Sequence, residues 1–220
     1  MIVEERLLTY INSLDCGNTS FLDALEKEAL DNYVPIIRKD MQSFLKVMLS
    51  IKQPGRVLEV GTAVGFSTLL LSEYGPADMH ITTIENYEKR IPIAKANFEK
   101  AGKTEQITLL EGDAAELLKT LDEPFDFIFM DAAKGQYLAF LPDCVRLLKE
   151  GGILITDNVL QNGEIMESRF AVTRRNRTIH TRMREYLYAV KHHPLLESSI
   201  LPVGDGITLS VKRNGKSDEL

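Results

Sequence analysis

The chain has little cysteine, no excess of positive charge and no long apolar run at its start, and each shortage removes a class of protein. Its two cysteines, Cys16 and Cys144, lie far apart in neither a metal-binding nor a redox spacing. Free thiols in a reducing compartment are therefore expected, not a disulfide scaffold or a zinc module. The opening stretch MIVEERLLTYINSL carries acids early, so it reads as neither a secretory signal nor a membrane span. A cytoplasmic protein without membrane contact is expected. A net charge of −6 argues against general affinity for nucleic acid, although an average can hide a local patch. No repeat, low-complexity tract or linker interrupts the chain. What is left, 44% hydrophobic and 26% charged over 220 residues, suits one globular domain with a sizeable core. It is expected to span 1–220, with a helical cap at 1–53 and an α/β core at 54–213.

The chain is organised around Arg56 to Ser67, RVLEVGTAVGFS. Val57, Leu58 and Val60 read as a strand buried on both faces, Gly61, Ala63 and Gly65 as a tight turn, and Phe66 to Ser72 as the start of a helix. Such a turn aims free backbone N–H groups at a ligand. A dinucleotide fingerprint, Gly-x-Gly-x-x-Gly, fails because Ala63 and Phe66 occupy two of the glycine places. Glu59, the acid before the turn, would repel a pyrophosphate but suits a ligand carrying an ammonium and a sulfonium, such as S-adenosylmethionine (SAM). Many α/β proteins have a Gly-rich first turn, so this stretch alone leaves the ligand open.

Ahead of it, three apolar faces predict helices: Leu7, Leu8 and Ile11; Leu22, Leu25 and Leu30; and Met41, Phe44, Leu45, Met48 and Leu49. Pro35 separates the second helix from the third. A loop there could fold over a cofactor, with Met41 either near the sulfonium or in the core. Behind the turn, strands are predicted at 80–84, 106–110, 125–130 and 152–156, with a helix at 88–101, which argues for a mostly parallel sheet. A hairpin about Gly204-Asp205-Gly206 closes the chain, and 214–220 reads as a frayed tail. Polar residues stand at successive strand ends: Glu59, Glu85, Asp113 shortly after the third strand, Asp131, and Asp157-Asn158. Ligands of open α/β sheets bind along that edge. Glu85 lies 24 residues after Gly61, where an acid holding a ribose diol belongs, and Asp113 could accept an adenine amino group. Helix capping accounts for any one of these acids. The series asks for more.

Asp131 ends the fourth strand and Asp157-Asn158 the fifth, so neighbouring strands bring three oxygen ligands together. Two carboxylates and an amide suit a hard cation such as Mg²⁺, and no His or Cys competes. Capping would explain either acid singly. A cation beside SAM would ionise a substrate hydroxyl in line with the methyl group. Lys134 could take the proton or stabilise the oxyanion, or be a solvated lysine in the first turn of the next helix.

Together, VLEVGTAVGFST, Glu85, GDA, FIFMDAAKGQY, ITDN and LPVGDGIT resemble the metal-dependent O-methyltransferases of the caffeoyl-CoA and catechol type, over about residues 35–212. That resemblance implies a Rossmann-like class I methyltransferase fold, seven strands with the last antiparallel, and commonly a homodimer. It carries the metal ligands onto Asp131, Asp157 and Asn158, and SAM contacts onto Met41, Glu59, Gly61, Thr62, Ser67, Glu85, Asp113, Ala114 and Asp131. Lys134, with Asp131, becomes the catalytic candidate.

The acceptor is read from a later stretch. RFAVTRRNRTIHTRMR holds Arg169, Arg174, Arg175, Arg177, Arg182 and Arg184, six of the chain's twelve arginines, with His180 and no acid. Arginine suits bidentate phosphate contact, and a basic patch beside an active site would position a polyanion. A solvated helix face or a dimer contact is the other explanation. Six arginines exceed the needs of one CoA. The pattern resembles the bacterial branch of this family that methylates 5-hydroxyuridine at the tRNA wobble position, which implies an anticodon loop as partner and 5-methoxyuridine as product. Two alternatives stand beside it: small catechols or phenolic CoA esters as acceptors, and a non-catalytic RNA-binding module.

Overall fold

The computed structural model describes residues 3–215. Three helices come first: α1 (Glu5–Ser13), α2 (Ser20–Asp31) and α3 (Lys39–Lys52). The Thr19 hydroxyl caps α2 by accepting the Leu22 N–H. Pro35 sits in the extended stretch before α3, as expected of a residue that disfavours helix in its predecessor. α1 buries none of its side chains; Leu7, Tyr10, Ile11 and Leu14 stand exposed at helical spacing along one face.

From Arg56 onward strands and helices alternate: β1 (Arg56–Val60), α4 (Phe66–Tyr74), β2 (His80–Glu85), α5 (Ile91–Lys100), β3 (Ile107–Glu111), α6 (Ala114–Thr120), β4 (Phe125–Met130), α7 (Tyr137–Leu147) and β5 (Leu148–Thr156). After α8 (Arg177–Lys191), β6 (Leu196–Leu201) and β7 (Ile207–Lys212) form the closing hairpin. The sheet runs β3-β2-β1-β4-β5-β7-β6, parallel from β3 through β5, with β7 antiparallel to both its neighbours. The expected seven-stranded Rossmann-like sheet is thus present.

Two boundaries differ from expectation by more than one residue. β5 begins at Leu148, not Gly152: Leu148 pairs with Phe125 across a register shift, and Gly151-Gly152 conceals the strand pattern in the sequence. α5 begins at Ile91, after Glu88, with Pro92 in its first turn, where a missing N–H costs nothing. Of the predicted tail, 216–220 lie outside the described residues; the Gly215 N–H reaches Glu150 Oε1 at 3.3 Å.

Both faces of the sheet are covered, so its central strands are apolar on both sides. Val57, Phe127, Phe129 and Ile155 face the layer that contains α3 and α4, while Leu58, Val60, Ile128 and Leu154 face α7 and α8. Chain order reverses between β1 and β4, which opens a crevice at their carboxyl ends. Among the described residues no helix is long and apolar enough to cross a membrane.

Candidate active site

At Gly61 the turn after β1 touches the end of β4. Its φ is +107°, and a Cβ there would sit 2.0 Å from the carbonyl oxygen of Asp131, so only hydrogen fits. Glu85, at the end of β2, fixes the turn from the other side. Its carboxylate accepts the N–H groups of Ala63 at 2.7 Å, Asn86 at 3.0 Å and Tyr87 at 2.8 Å. A carboxylate offers roughly four lone-pair directions, which leaves Glu85 room for a ligand hydroxyl.

Above these strand ends opens a cavity of about 590 Å³, within the range of small-molecule sites. Its wall brings together Gly61, Thr62, Ser67, Glu85, Asp113, Ala114, Asp131, Lys134 and Asn158, all named from sequence. Asp113 both lines the cavity and caps α6, accepting the Ala115 N–H at 2.9 Å. Sequence reasoning missed Tyr87 and Arg90, whose guanidinium lies 5.4 Å from the Tyr87 ring centroid. They follow β2 in a loop that no motif marks. The extended stretch before α3 forms another wall through Pro35, Ile36 and Ile37.

Two expected SAM contacts do not reach the cavity. Met41 is fully buried in the core, because α3 starts at Lys39 and turns this residue inward; the wall comes from the loop just before it. Glu59 is also fully buried. β1 continues through Val60, so alternation puts Glu59 on the face of Val57, beneath α4, where the hydroxyls of Thr83 (2.5 Å) and Thr68 donate to Oε2. Burial pushes its carboxyl up to about 7, against those hydrogen bonds.

The three proposed metal ligands do come together. Asn158, with a left-handed φ of 60°, turns its side chain so that Nδ2 donates to Asp131 Oδ1 at 3.1 Å. Its backbone N–H donates to Asp157 Oδ1 at 2.6 Å. Asp157 is only 4% exposed and lies behind Asn158, not on the cavity wall. Burial raises both carboxyls, and the nearby Asp131 helps push Asp157 up to about 8. Among the described residues no three His, Cys, Asp or Glu side chains make a metal group; the set needs the amide of Asn158. The buried carboxyl of Asp157 and the carboxyl of Asp131 on the cavity wall, with the Asn158 amide hydrogen-bonded to Asp131, fit a hard divalent cation, which would relieve the repulsion between the two acids.

Lys134 lies on a 3-10 turn (Lys134–Gln136), not in the helix, and lines the cavity. α8 packs against this turn, and Arg182 Nη1 donates to the Gly135 carbonyl at 3.1 Å. The six arginines therefore divide. Arg182 braces the turn beside Lys134, and Arg177 donates to the carbonyls of Val172 (3.3 Å) and Phe170 (3.4 Å). Arg169, Arg174, Arg175 and Arg184 are exposed, and among the described residues none of them pairs with an acid. None of the six lines the cavity itself.

Comparison with known proteins agrees with this geometry. Residues 12–213 match the family model described as O-methyltransferase. A catechol O-methyltransferase of Niastella koreensis is 32% identical over 128 residues, 56% of this chain and 58% of that protein. Caffeoyl-CoA O-methyltransferase 1 of Eucalyptus globulus is 34% identical over 180 residues, 77% of this chain and 72% of that protein. The match thus spans little more than half the length of the catechol enzyme. The SAH-bound methyltransferase of Podospora anserina superposes with a TM-score of 0.86 at 25% identity, covering 96% of this chain and 95% of that one.

Proposed function

The chain belongs to the O-methyltransferase family, and we propose that it transfers the methyl group of SAM to the 5-hydroxyl of 5-hydroxyuridine at the tRNA wobble position, giving 5-methoxyuridine. SAM is placed in the cavity between the 35–37 wall and the strand ends, with Glu85 toward the ribose and Asp113 toward the adenine. Asp131, Asp157 and Asn158 would hold a divalent cation such as Mg²⁺. An ion held by these residues would supply the Lewis acidity that brings the pKa of a substrate hydroxyl toward neutrality.

The rest falls to the chain's own residues. Lys134, on the cavity wall, receives the hydroxyl proton or holds the oxyanion. The oxygen–carbon bond forms as the sulfur–carbon bond breaks, and sulfur keeps the electron pair. The apolar wall of Pro35, Ile36 and Ile37 keeps water from competing for the methyl group.

The observation that carries the acceptor is the set of four exposed arginines that, among the described residues, have no acidic partner, on a segment and helix braced against the Lys134 turn, in a chain of net charge −6. Phe170, 82% exposed, stands among them. An aromatic interleaved with arginines suits an unstacked nucleic-acid loop, where phosphates meet guanidinium groups and a base stacks on the ring. O4 and O5 of the modified uracil are vicinal, as in a catechol, so one metal site serves either acceptor. The relatives named for catechol and caffeoyl-CoA make those acceptors the second reading. Nucleoside mass spectrometry of tRNA from cells lacking the protein separates the two. Loss of 5-methoxyuridine with accumulation of 5-hydroxyuridine is expected; an unchanged profile refutes the RNA acceptor.

A further inference from the structure

One continuous segment forms the cavity wall on the side of the proposed acceptor. Asp131, Ala132, Ala133, Lys134, Gln136 and Phe140 all line the cavity. β4 ends at Met130, and the 3-10 turn Lys134–Gln136 leads from it into α7. The turn is held from two sides. The hydroxyl of the fully buried Tyr137 donates to the Asp157 carbonyl at 3.2 Å, and Arg182 donates to the Gly135 carbonyl. Between Asp131 and Lys134 stand only alanines, whose methyl groups leave room for a flat ring.

The polar side chains of this segment are unequally engaged. Asp131 Oδ1 accepts Asn158 Nδ2 at 3.1 Å, and Lys134 Nζ pairs with Asp205 Oδ2 at 3.4 Å. Gln136 engages only its backbone, whose N–H donates to the Ala133 carbonyl at 2.8 Å. Its side chain is half-buried on the wall, and among the described residues the amide has no hydrogen-bond partner. Phe140, four residues on and therefore on the same helical face, is buried and gives the wall an apolar surface beside it. A primary amide offers donors and an acceptor side by side.

Uracil presents the matching edge. In the proposed pose O4 and O5 face Asp131, Asp157 and Asn158, so O4 keeps a lone pair free on its N3 side, next to the N3–H. One amide satisfies both: Nε2 donates to O4 while Oε1 accepts from N3–H, the kind of two-point contact by which glutamine reads a base. A catechol held by the same two oxygens offers only a ring C–H at the place of N3–H.

We infer that Gln136 recognises the acceptor base through this pair of hydrogen bonds to uracil, and so separates a uracil acceptor from a catechol. The inference deepens the proposed function and rests on it.

The test compares kcat/KM on an anticodon stem-loop RNA carrying 5-hydroxyuridine with kcat/KM on catechol. Gln136→Leu should lower the ratio of the two, RNA over catechol, about 10- to 10²-fold, the discrimination carried by one two-point base contact. The contact is uncharged, so the drop should be the same at low and at physiological salt, unlike the loss of an arginine contact. Gln136→Met, close in length but without an amide, should lower the ratio equally. If catechol is not turned over, the same loss on the RNA with SAM affinity unchanged carries the test. Both variants should fold, because the amide has no protein partner to lose; collapse of both would reveal a structural role and overturn the inference. An unchanged ratio overturns it too, as does a loss in Gln136→Leu that Gln136→Met does not share, which would be an effect of shape. A wild type that does not methylate the RNA refutes the proposed acceptor and this inference together; a wild type that does, with the ratio unmoved in both variants, refutes this inference alone.

Discussion

Asp157→Ala is expected to lower kcat about 10³-fold or more, the several kcal/mol that a bound cation contributes to a developing oxyanion. The protein should stay folded with its SAM site intact. Removing this side chain leaves Asp131 and Asn158, too few ligands to fix an ion. The fold tolerates the change because the Asp157 carboxyl is buried beside a like group and raised to about 8, so ionised Asp157 strains the metal-free protein. The local loss is the acceptor for the Asn158 N–H, worth about 1 kcal/mol. The proposed SAM contacts lie elsewhere on the wall, at the turn after β1 and at Glu85. Turnover at saturating Mg²⁺, read beside SAM affinity and the melting temperature, decides the matter. Wild-type turnover by the variant would remove the metal from the account.

Changing Arg169, Arg174, Arg175 and Arg184 together to alanine should raise the KM for tRNA about 10²- to 10³-fold at moderate salt and leave turnover of a small catechol unchanged. Each phosphate contact to a single strand contributes a slope of about −0.7 to the dependence of log affinity on log salt. Wild-type affinity for tRNA should therefore fall steeply between low and physiological salt, and the fourfold variant should lose most of that response. Arg177→Ala and Arg182→Ala should behave differently. They remove backbone braces, at the Phe170 carbonyl and at the Gly135 carbonyl beside Lys134, and should impair both acceptors. If the fourfold variant methylates tRNA at the wild-type KM, the exposed arginines are surface and the catechol reading takes over.

Local pattern made most of this site legible. Parallel strands each end at the same sheet edge, so acids found at the ends of predicted strands had to meet, and Glu85, Asp131 and Asn158 do line one cavity. Asp157 joins them one layer back. Errors came where one residue of phase decides the side. Glu59 was expected at the ligand, yet two-residue alternation along β1 turns its side chain beneath α4, on the face of Val57. Met41 faces the core, and the cavity wall is the extended loop ahead of its helix. Asp205 lay inside a recognised motif, but its hydrogen-bond partners did not show there. Its partners are 71 and 43 residues away in sequence, and only the packing of the hairpin against the Lys134 turn joins them.

The central claim is that the carboxyls of Asp131 and Asp157 and the amide of Asn158 hold one cation, and calorimetric titration of Mg²⁺ into the SAM-loaded protein across about pH 5.5 to 8.5 tests it most directly. The carboxyls are raised in the metal-free protein, Asp157 to about 8, so below that pH the ion must displace a proton. One ion per chain is expected, with affinity rising as pH increases, levelling above about 8 as proton release ceases, and lost in Asp157→Ala. Binding that ignores pH and survives that substitution, or no binding at any pH, would contradict the account.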